Sequence, residues 1–167
     1  MEQLTGGGDS LLQLVTFTMG TEEYAVDILK VQEINRMTEI AKVPNAPNYV
    51  EGVINLRGRV IPVVSLRKRF GFDDKLSDEQ SRIMIMDIQG ITIGVIVDAV
   101  SEVLRIQSNT VEPTPHVASS LGTEFIKGIA KLEDRLIILI DMDMLIEKSD
   151  GTAMLQAAKV GQRSLEE

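Results

Sequence analysis

Residues 49–66 read YVEGVINLRGRVIPVVSL, and residues 125–142 read FIKGIAKLEDRLIILIDM. The second stretch is a diverged copy of the first. Gly52 falls on Gly128, Leu56 on Leu132, Arg59 on Arg135 and Ile61 on Ile137, all 76 positions apart (128 − 52). Most other positions keep their apolar character, and the strongest difference is in the turn, Leu-Arg-Gly at 56–58 against Leu-Glu-Asp at 132–134. Such a repeat means that one small structural unit was used twice, diverging most where it meets solvent.

Within the first copy, 51–56 and 59–64 read as strands joined across Arg57-Gly58. Pro62 lies inside the second of them and predicts an edge strand or a bulge, because proline cannot donate to a ladder. Ser65 is placed to cap a short helix LRKRF that stops at Gly71, and Arg67, Lys68 and Arg69 suit the negative end of its dipole. Asp141 holds the equivalent cap position before MDMLIEK.

Working outward, LVTFTM (14–19) alternates, with Val15, Phe17 and Met19 on one face and Thr16 and Thr18 on the other. After the turn Gly20-Thr21-Glu22, EYAVDI (23–28) alternates again with Tyr24, Val26 and Ile28 inward, which predicts a hairpin. The hairpin recurs as IMIMDI (83–88), a Gln89-Gly90 turn and ITIGVIV (91–97). Met84 and Met86 there are read as core residues. AVDILKVQEI (25–34) aligns with GVIVDAVSEV (94–103) at an offset of 69 (94 − 25), placing Val31 over Val100 and Glu33 over Glu102. The offsets differ by seven (76 − 69), which predicts an insertion in the loop 107–124, where Pro113, Pro115, Ser119, Ser120 and Gly122 gather.

The expected architecture is mainly β: two small five-stranded barrel lobes from an internal duplication, with short helices. Lobe 1 spans about 13–72 and lobe 2 about 80–148, with strand exchange at their junction allowed and the charged stretch 73–82 between them. Residues 1–12, with Gly6-Gly7-Gly8, are expected to form a mobile tail, and 149–167 a second tail read as a frayed helix.

The composition excludes several classes of function. A net charge of −8 (17 Lys+Arg against 25 Asp+Glu) opposes binding to a nucleic-acid backbone or an anionic membrane. No apolar run reaches the ~18 residues of a membrane span, and the N-terminus lacks the pattern of a signal peptide. The absence of cysteine fits a reducing cytoplasm. His116 is the only histidine, so neither a zinc site nor a serine–histidine pair can be assembled by conventional means. Gly6-Gly7-Gly8 follows no strand and precedes no Lys-Ser/Thr, so it is not a phosphate loop. Asp141 and Asp143 sit where a helix favours acids in its first turn. No catalytic centre, metal or cofactor is expected.

Two polar residues remain as candidates. Arg57, on a tight turn between apolar strands, projects a guanidinium able to fork onto a carboxylate. Glu33 lies two residues beyond Val31, which on a regular strand puts both on one face.

VQEI at 31–34, VPNAP at 43–47 and above all EGVINLRGRVIPVVSLR at 51–67 resemble the CheW family of bacterial chemotaxis coupling proteins, and the likeness extends over about 14–147. The resemblance implies two SH3-like five-stranded barrels and no catalysis. It implies a cytoplasmic adaptor, joined to membrane receptor arrays through its partners, that links the tips of methyl-accepting chemotaxis receptors to the regulatory domain of the CheA histidine kinase. It also ties Val31, Glu33, Gly52, Arg57 and Gly58 to that coupling, and from that tie Glu33 and Arg57 are expected to lie close together as an exposed or half-exposed ion pair of little value to stability. The same domain occurs as a module of larger signalling proteins, which is one alternative. The others, drawn from the residues alone, are a small-barrel RNA- or ribosome-binding protein and a small β-barrel enzyme. Acidic balance and only four Phe and two Tyr oppose the first, and the missing acid–base constellation opposes the second.

Overall fold

A computed structural model describes residues 10–73, 75–113, 125–146 and 150 of the 167. The strands are β1 (Leu11–Met19), β2 (Glu22–Asp27), β3 (Val31–Arg36), β4 (Val50–Leu56), β5 (Arg59–Ser65), β6 (Arg82–Ile88), β7 (Ile91–Val97), β8 (Ala99–Gln107), β9 (Val111–Glu112), β10 (Ile126–Leu132) and β11 (Arg135–Ile140). One α-helix, α1 (Leu66–Phe70), and short 3-10 turns complete the described elements. The fold is mainly β, as the sequence predicts. It consists of a five-stranded sheet in the order β3-β6-β7-β5-β4 and a six-stranded sheet in the order β9-β10-β11-β2-β1-β8.

Each sheet takes strands from both halves of the chain, so neither 13–72 nor 80–148 alone makes a sheet. The hairpin β1–β2 joins β8–β11, and its duplicate β6–β7 joins β3–β5. The exchange is reciprocal to the residue. Val63 pairs in parallel with Gly94, and Leu139 pairs in parallel with Ala25. Those two pairs map onto each other through the offsets of 76 (139 − 63) and 69 (94 − 25). The exchange is driven by burial. Each hairpin is apolar on both faces, and lying in the other half's sheet covers both.

The cores show the same duplication. Ile54, Ile61, Val63 and Ile83 fill the interior of the five-stranded lobe, and their equivalents Ala130, Ile137, Leu139 and Leu14 fill the interior of the other. A third and larger cluster lies between the sheets, where Phe17, Met19, Tyr24 and Val26 meet Met84, Met86, Ile93 and Val95. Met84 and Met86 are fully buried there. Arg69 of α1 fastens the lobes further, with its guanidinium 4.5 Å from the centroid of Phe125 and 5.2 Å from that of Tyr49.

Several expectations need correction. Thr16 is fully buried, because β1 packs on both faces. Its hydroxyl donates to the Glu102 carbonyl and accepts from the Glu102 amide, both at 3.2 Å, which satisfies the buried group. Strand β1 begins at Leu11, so the tail expected over 1–12 is shorter at its inner end, and residues 1–9 lie outside the described residues. Pro62 is in an interior strand, not an edge. The ladder to β7 is recorded from Val63 onward, one residue past the missing donor, and the bulge belongs to β4, between Val50 and Gly52. The loop predicted at 107–124 contains a 3-10 turn at Ser108–Thr110 and then β9. His116 and the tail 151–167 lie outside the described residues.

The local signals for α1 hold in detail. The Ser65 hydroxyl accepts from the Lys68 amide, and Gly71 closes the helix at φ 80°. Asp141 caps only a single 3-10 turn, Met142–Met144, accepting from the Asp143 amide.

Candidate functional site

The turn between β4 and β5 has Arg57 at φ 53° and Gly58 at φ 85°. Two successive left-handed residues give the type of two-residue turn whose twist matches a hairpin. Asn55 Oδ1 accepts from the Gly58 amide at 3.0 Å and braces the turn. The duplicate turn repeats the strain, with Glu133 at φ 50° in the place of Arg57.

Held on this turn, the Arg57 guanidinium forks onto Glu33 of β3. Nη1 donates to Oε1 at 3.3 Å and Nη2 donates to Oε2. The Arg57 side chain is 70 % exposed and that of Glu33 is 29 % exposed. Hydrogen bonding from Arg57 holds the Glu33 carboxyl below its ordinary range, and the same bond raises the guanidinium. Strands β3 and β4 are the two edges of the five-stranded sheet. The ion pair therefore joins the two edges of the sheet, and the bridge between Ala41 and Val53 pairs the segment after β3 with β4.

Of the residues singled out from the sequence, Glu33, Arg57 and Gly58 come together at this corner, but Val31 does not. A β-bulge between Val31 and Glu33 breaks the alternation: Val31 pairs with Met86 and Glu33 with Ile85. Val31 is half-buried against the core between the sheets, whereas Ile85 belongs to the lobe interior on the opposite face. The expectation that Val31 and Glu33 share a face fails for that reason. Gly52 sits five residues before Arg57 and makes a backbone contact: a Cβ there would lie 2.1 Å from the Ala41 carbonyl oxygen.

Two further arginine clamps were not anticipated. Arg67 reaches Asp98 through Nε at 2.8 Å and Nη2 at 2.6 Å, and the Gly20 amide donates to the same carboxylate at 2.8 Å. Arg135 reaches Glu23 at 3.0 and 2.7 Å and Glu102 at 3.0 Å. The internal repeat does not mark the second clamp, because Glu23 falls on Thr92. Among the described residues no cluster of three or more His, Cys, Asp or Glu is placed to hold a metal ion, and no helix is long and apolar enough to cross a membrane.

These clamps make stability sensitive to acid. Hydrogen bonds from arginine lower the carboxyls of Asp98, Glu23 and Glu33 below their ordinary values. A carboxyl depressed in the folded state stabilises above its unfolded pKa, and that contribution is lost as pH falls through the folded value. Tm is therefore expected to hold from neutrality to about pH 5 and to fall below it. Asp98→Asn is expected to lower Tm at neutral pH and to flatten the acid slope, as followed by thermal melts from pH 7 to pH 3. An unchanged slope would remove Asp98 from the account.

Fold and site define a two-sheet β domain with a duplicated interior and an ion pair displayed on a hairpin corner. Residues 13–150 match the CheW-like domain, and the chain belongs to that family. It is 34 % identical to the chemotaxis protein CheW of Klebsiella aerogenes, over 88 % of this chain and 89 % of that one. It is 36 % identical to the chemotaxis protein CheW of Thermotoga maritima, over 81 % and 88 % respectively. The crystal structure of the scaffolding protein TtCheW from Thermoanaerobacter tengcongensis superimposes with a TM-score of 0.78 at 42 % identity, covering 84 % of this chain and 96 % of that one.

Proposed function

We propose that this member of the CheW-like family is a non-catalytic adaptor of chemotaxis that couples receptor tips to the regulatory domain of the CheA histidine kinase in the cytoplasm. The observation that carries this reading is the Glu33–Arg57 pair, displayed on a strained hairpin corner of a chain whose relatives are named as chemotaxis and scaffolding proteins. An exposed pair contributes little to stability, so its value lies in holding one guanidinium in a fixed orientation towards a partner. The Arg57 fork is preorganised, which reduces the entropy lost on docking. A receptor tip is a helical hairpin, and a helix of that kind lays an apolar stripe into a groove and sets its register with polar contacts at the rim. In this reading Glu33, Arg57 and Gly58 supply those polar contacts. Gly52 supports them through the backbone and Val31 through the core.

Arg57→Ala is expected to leave the melting curve close to wild type and to cut receptor-dependent kinase activation at least ~10-fold in a reconstituted mixture, a change of ~1.4 kcal/mol in coupling. Activation at the wild-type level would remove Arg57 from the coupling surface. Failure of the wild type to bind either the kinase regulatory domain or a receptor tip fragment would remove the adaptor reading itself.

A further inference from the structure

The internal repeat shows a position in one lobe that has lost its partner. Arg59 and Arg135 are equivalent across the offset of 76 (135 − 59), and Glu23 and Thr92 are equivalent across the offset of 69 (92 − 23). In the six-stranded lobe Arg135 is held by two carboxylates, those of Glu23 and Glu102. In the five-stranded lobe both of those partners are missing from Arg59. Thr92 stands in place of Glu23 and offers a single hydroxyl contact at 3.5 Å. Glu33 stands in place of Glu102, but its carboxylate is turned to Arg57. Asp87 lies opposite Thr92 across the β6–β7 hairpin, yet among the described residues it forms no ion pair with Arg59. Arg59 is exposed.

The charge at the two corners differs as a result. One has Glu23 and Glu102 on Arg135, with Glu133 in the adjoining turn, and the other has Arg57 on Glu33, with Arg59 two residues along. On a chain of net charge −8 this corner holds two guanidiniums against the carboxylates of Glu33 and Asp87, and Arg59 forms an ion pair with neither.

We propose that Arg59 is a docking residue that takes a carboxylate from an acidic helix of the partner seated at the Arg57 corner. That side chain supplies in trans what Glu23 supplies to Arg135 within the chain. Paired guanidinium–carboxylate contacts are the strong class of hydrogen bond, and they set the orientation of the partner as well as its affinity. The inference rests on the reading of the Arg57 corner as the receptor-docking surface and adds the partner's chemistry to it.

The repeat itself provides the test. Thr92→Glu restores the missing carboxylate, and the other lobe already accommodates glutamate at that position. The variant is expected to fold and to bind a receptor cytoplasmic fragment ~10-fold more weakly, because its own carboxylate now occupies Arg59. Thr92→Gln is expected to bind within twofold of wild type. In an Arg59→Gln background, Thr92→Glu is expected to cause no further loss. Wild-type affinity for Thr92→Glu overturns the inference, as does an equal loss in the Arg59→Gln background. If Thr92→Glu does not fold, Arg59→Glu replaces it, and its wild-type affinity for the same fragment overturns the inference equally. Arg59-dependent binding of a single-stranded RNA oligomer, without receptor binding, would assign the corner to phosphate and also overturn it. Loss of activation by Arg57→Ala together with wild-type affinity for Thr92→Glu sinks this inference alone. Full activation by Arg57→Ala sinks the coupling reading on which it rests.

Discussion

Replacing Ile61 by aspartate is expected to unfold the protein outright. Ile61 is 1 % exposed and packs with Ile54, Val63, Ile83 and Ile85 inside the five-stranded lobe. The substitution removes a buried branched side chain, which costs ~2–5 kcal/mol when truncated. It also introduces a carboxylate into an interior with no cation among its neighbours, adding several kcal/mol more. Together these approach the whole ~5–15 kcal/mol that holds a domain of this size. Ile61→Val serves as the control and is expected to cost only ~0.5–1.5 kcal/mol. Circular dichroism and urea titration of both variants check the claim. A cooperatively folded Ile61→Asp protein with near wild-type Tm would mean that this lobe has no packed interior.

The second large effect is expected at Gly52, and it separates a scaffold role from a contact role. The backbone there has φ 149°, and an added Cβ would lie 2.1 Å from the Ala41 carbonyl oxygen and 2.8 Å from its carbon. Both are backbone atoms and cannot rotate away. Relief requires opening the bridge in which the Ala41 amide donates to Val53 O at 2.9 Å and the Val53 amide donates to Ala41 O at 2.8 Å. Gly52→Ala is therefore expected to cost on the order of 3 kcal/mol or more, combining overpacking with an unfavourable φ. Gly58→Ala meets nothing within 4 Å and carries only the strain of φ 85°, on the order of 1 kcal/mol. If both variants lose coupling, melting curves distinguish the causes: Gly52→Ala acts through a loosened β4, and Gly58→Ala through the aim of the Arg57 turn. Equal Tm values for the two would refute this division. Gly128 repeats the close approach in the other lobe, where an added Cβ would lie 2.8 Å from the Glu112 carbonyl oxygen, so both copies of the repeat need glycine there.

Much of this was legible in the chain because its signals are local. The alternation of 14–19 and 83–88, the Ser65 cap and Gly71 stop of α1, and the Arg57-Gly58 and Gln89-Gly90 turns depend on neighbours a few residues away. The proximity of Glu33 and Arg57 was legible for another reason, since the family resemblance singled out both. Val31 was misread because a bulge inserts one residue into the ladder, and no composition signal marks it. Thr16 was misread because an alternating strand looks half-exposed unless both of its faces are known to be covered. The Arg67–Asp98 and Arg135–Glu23 clamps join residues 31 and 112 positions apart (98 − 67 and 135 − 23), a separation that no window along the chain can detect.

By itself, the sequence determined that one β unit was duplicated, where its hairpins turn and which residues are apolar enough to form an interior, because period, turn chemistry and hydrophobicity are properties of short stretches. Only the tertiary structure decided that the two halves trade hairpins, that a bulge turns Val31 away from Glu33, and that Arg59 lacks the carboxylate its duplicate possesses. Those outcomes are set by the burial of both faces of a strand and by the pairing of charges distant in sequence, and such energies exist only once the halves have come together.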